Sequence, residues 1–488
     1  MRAERKERIK ESLTVVYRAA RMVMLLVVAA LVAACGVRKA PPYVTVTPVA
    51  DVFPAIPEVH AMHGVAHVAL DVVVDPVSGY PAFEWGTRLG EAPTIRVAPG
   101  DTIDMTVHDA MRPFAGRPDD VNVHFHGLTV APSPPGDEVL MTLAHPGQTL
   151  HYRVVIPRDH EPGLYWYHPH AHGEAYYDVT NGMAGAIVVD GMQRHLPALA
   201  AMRERVVVLR DVPTGPGFVD DDMPMSGTVA TAHRSRRIAR SGAGRACRAE
   251  TGLQPTLNRR VDARIGIRPG ERQFFRVVNA SAARYYDLSV DGTPLELVAL
   301  DGVPLDAYPG TPPTRTVQHV LVPPAGRAEF VVSGLDHSTM LRSACVDTGA
   351  AGDANPAVVL AHLVDPTTVA GGAAASDAPT LSAEPLRVGA PLPHNVLSRA
   401  LQPPAARRTI RFTEDDHGFY LDGKVFAMDA PPAIVARSGT VEEWTLTNAT
   451  DEVHAFHIHQ VHFVPLAVDG TAVAPRTWAD TVNVPPRR

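Results

Sequence analysis

The sequence predicts an all-β protein of three tandem β-sandwiches, the third incomplete. Proline (45) and glycine (37) are abundant in the 488 residues, and that load of breakers favours turns and short strands over long helices. Short apolar segments recur, among them AGAIVVD (184–190), RVVVLRD (205–211), VLVPP (320–324) and AEFVVSG (328–334). One strand–turn–strand pattern appears three times: PTIRVAPGDTIDMTVHDA (93–110), ARIGIRPGERQFFRVVNAS (263–281) and PAIVARSGTVEEWTLTNAT (432–450). The turn glycines Gly100, Gly270 and Gly439 lie 170 and 169 residues apart. Solenoid repeats run about 20–50 residues, so this period marks tandem domains.

The chain opens on an address. Residues 1–21 hold seven Lys/Arg and three acids, and Met22 to Ala34 is an uncharged, mostly apolar run. That length suits the hydrophobic region of a signal peptide and is short for a membrane span. The run ends Val32-Ala33-Ala34-Cys35-Gly36, which resembles the lipobox of bacterial lipoproteins. The resemblance implies cleavage after residue 34 and a lipid on Cys35; the alternative is ordinary cleavage beside an incidental cysteine. Either way residues 1–34 form an export signal. The mature protein is expected in the periplasm or cell envelope, touching membrane only through that lipid.

Three sandwiches follow, at 45–195, 200–366 and 386–488, with an Ala/Gly/Ser-rich linker at 367–385. The first two units run about 90 residues past their turn glycines, and the third has 49. The third sandwich is therefore expected to stop about halfway, leaving strand edges unpaired. A net charge of −7 disfavours nucleic acid as a partner, and three cysteines exclude a disulfide-rich scaffold or a multi-cysteine metal site. Export permits a disulfide between Cys247 and Cys345; two separate buried thiols is the other reading.

The histidines carry the chemistry. His-x-His pairs occur at His124/His126, His168/His170, His170/His172 and His457/His459, where 23 His in 488 positions would give about one by chance. On a strand, residues i and i+2 share a face, roughly 7 Å apart, so two imidazoles can grip one metal or two neighbours. The pairs follow the turn glycines of units one and three. Unit two has YYDLSVDG (285–292) in the equivalent place, as though it were a spacer. Histidines that bind nothing are the alternative for any single pair, and the set argues against it.

VNVHFHG (121–127), WYHPHAHG (166–173) and HAFHIHQVHF (454–463) resemble three of the four copper motifs of the multicopper oxidases, the laccase-like family. The resemblance covers nearly all of residues 60–488. It implies cupredoxin-like Greek-key sandwiches, and it implies one-electron oxidation of a small-molecule or metal-ion reductant coupled to reduction of dioxygen to water. By motif, His124 and His457 would be type 2 copper ligands, and His126, His168, His170 and His459 type 3 ligands. His454 would be one imidazole of the type 1 copper. His172 and His462 fall outside the ligand pattern. Asp137, in PSPPGDEV (132–139), lies about where family members place a carboxylate for proton delivery; a turn-capping role is the alternative.

The family's fourth motif, His-Cys-His, has no counterpart here. TWADTVNVPPRR (477–488) resembles the run-up to it. The trinuclear set then lacks two type 3 histidines, and the type 1 site lacks the thiolate that carries electrons onward. The expectation is an incomplete copper cluster and a chain inactive as given. The alternatives are a non-catalytic copper-binding or structural exported protein, and a two-domain copper reductase, which the threefold repeat disfavours. The pair Met223/Met225 (DDDMPMSG) is too small for a methionine-rich copper-recruiting segment, and RSRRIARSGAGR (234–245) reads as a solvated loop.

Overall fold

The computed structural model describes residues 53–487 apart from 77, 113–119, 214–246, 248–251, 368–385, 387, 389–401, 416–417 and 429. The export signal, Cys35, the linker (but for residue 367), the Met223/Met225 pair and the 234–245 loop lie outside the described residues. All the described residues belong to one compact unit, Val46–Arg488.

The first module contains β1 (Glu58–His60), β2 (Val65–Val74), β3 (Pro81–Trp85), β4 (Arg88–Leu89), β5 (Thr94–Val97), β6 (Thr102–Asp109), β7 (His124–His126), β8 (Thr149–Val155), β9 (Gly163–His168) and β10 (Gly185–Val189). They form two five-stranded sheets, ordered β1-β5-β10-β9-β7 and β4-β3-β2-β6-β8. Alternation along β6 (TIDMTVHD) turns Ile103, Met105 and Val107 inward against Ile95, Phe125, Tyr165 and Tyr167.

The second module contains β11 (Arg203–Pro213), β12 (Leu253–Leu257), β13 (Ala263–Gly266), β14 (Arg272–Asn279), β15 (Tyr286–Val290), β16 (Leu295–Leu300), β17 (Val303–Pro304), β18 (Arg315–Val317), β19 (Val320–Val322), β20 (Arg327–Ser333), β21 (Thr339–Ala344) and β22 (Val358–Val364). Its sheets are seven- and five-stranded. Cys247 and Cys345 form a disulfide, with their Cα atoms 5.5 Å apart.

The third module contains β23 (Ala406–Asp415), β24 (Gly418–Leu421), β25 (Glu442–Asn448), β26 (His454–His457), β27 (Ala467–Val468), β28 (Thr471–Ala472) and β29 (Thr481–Val484). Among the described residues it has only a three-stranded sheet and two two-stranded ones.

The repeat is visible in the pairing. The strand after each turn glycine lies parallel to an earlier strand of its module: β6 on β2, β14 on β11 and β25 on β23. Gly100, Gly270 and Gly439 all take positive φ (98°, 73° and 80°), the backbone region that glycine enters without a Cβ penalty. In modules one and two, the far edge of the same strand pairs antiparallel with β8 or β20. That edge of β25 has no partner strand among the described residues.

β9, β10 and β11 are buried nearly throughout because two modules share them. Leu164, Trp166, Ala186 and Val188 pack on Val206, Val208, Val278 and Ala280 in one inter-module core. Each fully buried valine or leucine there contributes about 1.5–3 kcal/mol relative to exposure. This explains the unbroken apolar runs of AGAIVVD and RVVVLRD. The second module is therefore packed tightly against the sheet that bears the first module's histidines.

Candidate metal centre

Strand periodicity selects which side chains face the centre. β7 pairs antiparallel with β9, setting His124 opposite His168 and His126 opposite Trp166. Phe125 and Tyr167, on the other face, enter the module core. His124 and His126 are buried. The Trp166 ring stacks on His168 at 4.1 Å between centroids and lies 5.2 Å from His126. His170 follows the end of β9, where its N–H donates to the buried Asn122 Oδ1 at 2.7 Å.

The third module reaches the same point through β26. Phe456 packs among Phe412, Trp444 and Phe463, so His457, one position on, faces away from that core. His457 stacks on His126 and His459 on His124, each with centroids 3.8 Å apart. His459 lies 4.8 Å from His170, and His457 lies 6.1 Å from His124. Six imidazoles from two modules some 300 residues apart in sequence thus share one small volume. Ligand-capable atoms lie within 4.8 Å of one another in the sets His124/His126/His168, His124/His457/His459 and His126/His457/Asp480.

The nitrogens are arranged as metal ligands require. His124 Nδ1 is 3.0 Å from the Asp137 carboxylate. His168 Nδ1 donates to the Pro169 carbonyl and His457 Nδ1 to the Asp480 carbonyl, both at 2.8 Å. Each bond fixes the tautomer and leaves the Nε2 lone pair aimed inward. His124 Nε2, His126 Nε2, His168 Nε2, His170 Nδ1 and His457 Nε2 are buried without a hydrogen-bond partner. An unsatisfied buried polar atom costs about 1–3 kcal/mol, so several within one cluster of imidazoles call for partners, and a metal cluster fits. Burial lowers the pKa values of His124, His126 and His168 well below the usual 6.5. Burial also brings His170 to about 4, and burial with the neighbouring His457 and His170 charges brings His459 to about 3. All are neutral, which is the ligating state.

The remaining residues separate. His454 lies on the opposite face of β26, stacked on Phe412, with Nε2 2.9 Å from Thr450 Oγ1. It groups with Glu414 and Glu452 rather than with the other histidines. The exposed His172 stacks on Phe426 of the third module at 3.8 Å. His462 Nε2 donates to the Asp301 carbonyl at 3.0 Å. Asp137 is buried and accepts from Phe125 N as well as facing His124, so its partners belong to the centre rather than only to its own turn. Burial pushes its pKa up to about 7.

Sequence reasoning missed Asp480 and Arg327. Asp480 Oδ1 lies 3.6 Å from His126 Nε2 and 3.7 Å from His457 Nδ1. Burial raises its pKa, but the Arg327 guanidinium and His126 outweigh that and hold the carboxyl well below the usual carboxylate range. One available signal was an acid inside the strand-like run TWADTVNV. Arg327 had none, because its role is set by modules that meet only in the folded chain. The second module is thus more than the inert spacer its missing histidines suggest.

Comparison with known proteins finds similarity to multicopper oxidases. Sequence models of a family described as multicopper oxidase match residues 90–194 and 398–488. Copper resistance protein A of Escherichia coli is 25% identical over 239 residues, covering 43% of this chain and 37% of that protein. Multicopper oxidase LPR1 homolog 1 of Oryza sativa subsp. japonica is 25% identical over 392 residues, covering 75% of this chain and 60% of that one. The matches thus span less than two thirds of these curated relatives. A multicopper oxidase structure from Campylobacter jejuni, described as a metallo-oxidase, superposes with a TM-score of 0.65 at 21% identity, covering 90% of this chain and 88% of that one.

Proposed function

The chain belongs to the multicopper oxidase family, and from that premise we propose that its converging histidines are the trinuclear half of a copper oxidase centre. His124 and His457 are the type 2 ligands; His126, His168, His170 and His459 are type 3 ligands; His454 is the type 1 imidazole. The observation that carries the reading is that His124, His126, His168 and His457 each hold a buried, partnerless imidazole nitrogen, and that these residues fall, with His459, into overlapping groups whose ligand-capable atoms lie within 4.8 Å of one another. Copper held there would supply one-electron chemistry, the dioxygen-reducing half of a reaction whose other half, oxidation of a small-molecule or metal-ion reductant, needs the type 1 site.

The chain's own groups prepare that chemistry. Asp137, Pro169 O and Asp480 O hold the Nδ1 protons of His124, His168 and His457, so the ligand set needs no rearrangement. Trp166 covers His168 and His126 and keeps water from that flank. Asp137, with its pKa near neutrality, can hold or release a proton at the His124 side.

The electron-entry half differs. The three cysteines of the sequence are Cys35, outside the described residues, and the disulfide-bonded Cys247 and Cys345. None of the described residues offers a thiolate beside His454. We therefore propose that this 488-residue polypeptide by itself binds copper without oxidase turnover; the same feature favours the second reading, a copper-binding protein on a cupredoxin scaffold. The disulfide supports an oxidising compartment, in keeping with export and a lipid at Cys35. Copper titration of the purified chain tests the reading, with copper per chain, absorption and oxygen uptake recorded together. Tight copper binding, no intense blue band and no oxygen uptake are expected. Absence of tight copper binding overturns the cluster, and a blue band or turnover overturns the proposed inactivity.

A further inference from the structure

The second module carries no copper-motif histidine, yet it places one guanidinium where all three modules meet. Arg327 opens β20 and is fully buried. Its Nε donates to the Leu164 carbonyl of the first module at 3.3 Å, on the strand that ends in His168. Within its own module, Nη1 donates to Ala325 O at 3.1 Å and Nη2 to Asp301 O at 2.8 Å. Both Nη atoms grip the Asp480 carboxylate of the third module, at 2.8 and 2.6 Å. This bidentate fork fixes orientation as well as distance. Asp480 in turn holds His457 Nδ1 through its carbonyl and stands beside His126 through its carboxylate. Asp301 Oδ2 accepts the N–H groups of Asp480 and Thr481 from the other side, at 3.2 and 3.3 Å.

The glycine after His126 gives an independent sign of this junction. Gly127 has φ +84°, and a Cβ built on it would lie 2.4 Å from Arg327 Nη2 and 2.8 Å from Asp480 Oδ2. The last residue of VNVHFHG therefore gives up its side-chain space to the clamp.

Resting on the trinuclear reading, we infer that Arg327 is a positioning residue: through Asp480 it sets where the third module's His457 stands relative to the first module's His126 and His168. Burial alone does not give this role, because Arg276 supplies the control. Arg276 is also fully buried in the second module. It pairs with Glu329 at 2.6 Å, and Glu329 accepts the Leu164 N–H at 2.8 Å. It thus reaches the same first-module residue but makes no bond to Asp480.

The test compares Arg327→Lys with Arg276→Lys. Lysine keeps the charge and loses the fork. In copper-free protein, 15N NMR of the imidazoles should show His457 as one Nδ1–H tautomer in the wild type and in Arg276→Lys, and as a tautomer mixture in Arg327→Lys. On loading with Cu(II) alone, Arg327→Lys should bind about 10–100-fold more weakly and show an altered type 2 electron paramagnetic resonance signal, with Arg276→Lys unchanged in both. If Arg327→Lys does not fold, Asp301→Asn, which leaves one acceptor oxygen where the carboxylate uses one for the Arg327 N–H and the other for the Asp480 and Thr481 N–H groups, should give the same changes. Equal effects of the two lysine variants, or a wild-type spectrum in Arg327→Lys or in Asp301→Asn, overturn the inference. A wild type that shows the single tautomer and binds no copper overturns the trinuclear reading and leaves the positioning role standing.

Discussion

The first and third modules each contribute histidines to one centre, and they do so on unequal foundations. β7 pairs with β9 at the edge of a five-stranded sheet, and His124 and His126 are 0% and 2% exposed. β26 pairs only with β29 among the described residues, and His457 and His459 are half-buried. Elsewhere in the third module Phe426 is 52% and Val435 74% exposed, where the first module has a closed core. The first half is preorganised by its own sheet. The third is held in place largely from outside, by ring stacking and by the Arg327–Asp480 clamp. A shared metal site can be rigid on one side and borrowed on the other.

The sharpest break of this comparison is to remove a ligand from the rigid side. His126→Ala should weaken copper binding by about 100-fold or more, read by copper-to-protein ratio after dialysis. His454→Ala, on the opposite face of β26, should leave cluster copper unchanged. If the two variants lose copper equally, the division of β26 into two faces is wrong.

The next effect falls on the junction. Gly127→Ala combines a positive φ with a clash against Arg327 and Asp480. It should cost about 2–3 kcal/mol, seen as a lower denaturant midpoint. Gly147→Ala, also at positive φ but with nothing within 4 Å, should cost only about 1 kcal/mol.

Asp137→Asn comes next. It replaces the acceptor that fixes the His124 tautomer, and should weaken copper by about 10-fold while leaving His457 ring signals unmoved.

The smallest effect is on pH. In copper-free protein His170 and His459 titrate near 4 and 3, below the 6.5 of an unfolded chain. Their folded pKa values are depressed, so the unfolded state takes up protons first. Stability is full above about 6.5 and declines as pH falls through these values, by about 1 kcal/mol per residue between pH 7.5 and 5.5. Asp137 runs the other way: its folded pKa near 7 exceeds its unfolded 3.8, so its contribution is lost as pH rises. Denaturation midpoints at the two pH values should therefore fall more steeply in Asp137→Asn than in the wild type.

The histidine motifs were legible because strand geometry converts i, i+2 spacing into a shared face, and the turn glycines were legible because their backbone demands them. The burial of β9 to β11 was legible only as apolar runs; the reason, a core shared by two modules, is tertiary. The facing of His454 away from His457 could be read from their odd separation on β26, but only once the strand limits were known. Asp480 and Arg327 could not be paired from sequence, since 153 residues separate them and nothing in either segment names the other. The Cys247–Cys345 disulfide was one of two readings until the fold brought the pair together.

The central claim is that imidazoles of the first and third modules bind one copper cluster. Cu(II) titration followed by electron paramagnetic resonance, on wild type, His124→Ala and His457→Ala, tests it most directly. Loss of the same copper signal in both variants is the predicted result. A variant that removes one module's histidine and leaves the other module's copper signal intact would mean two separate sites and would contradict the account.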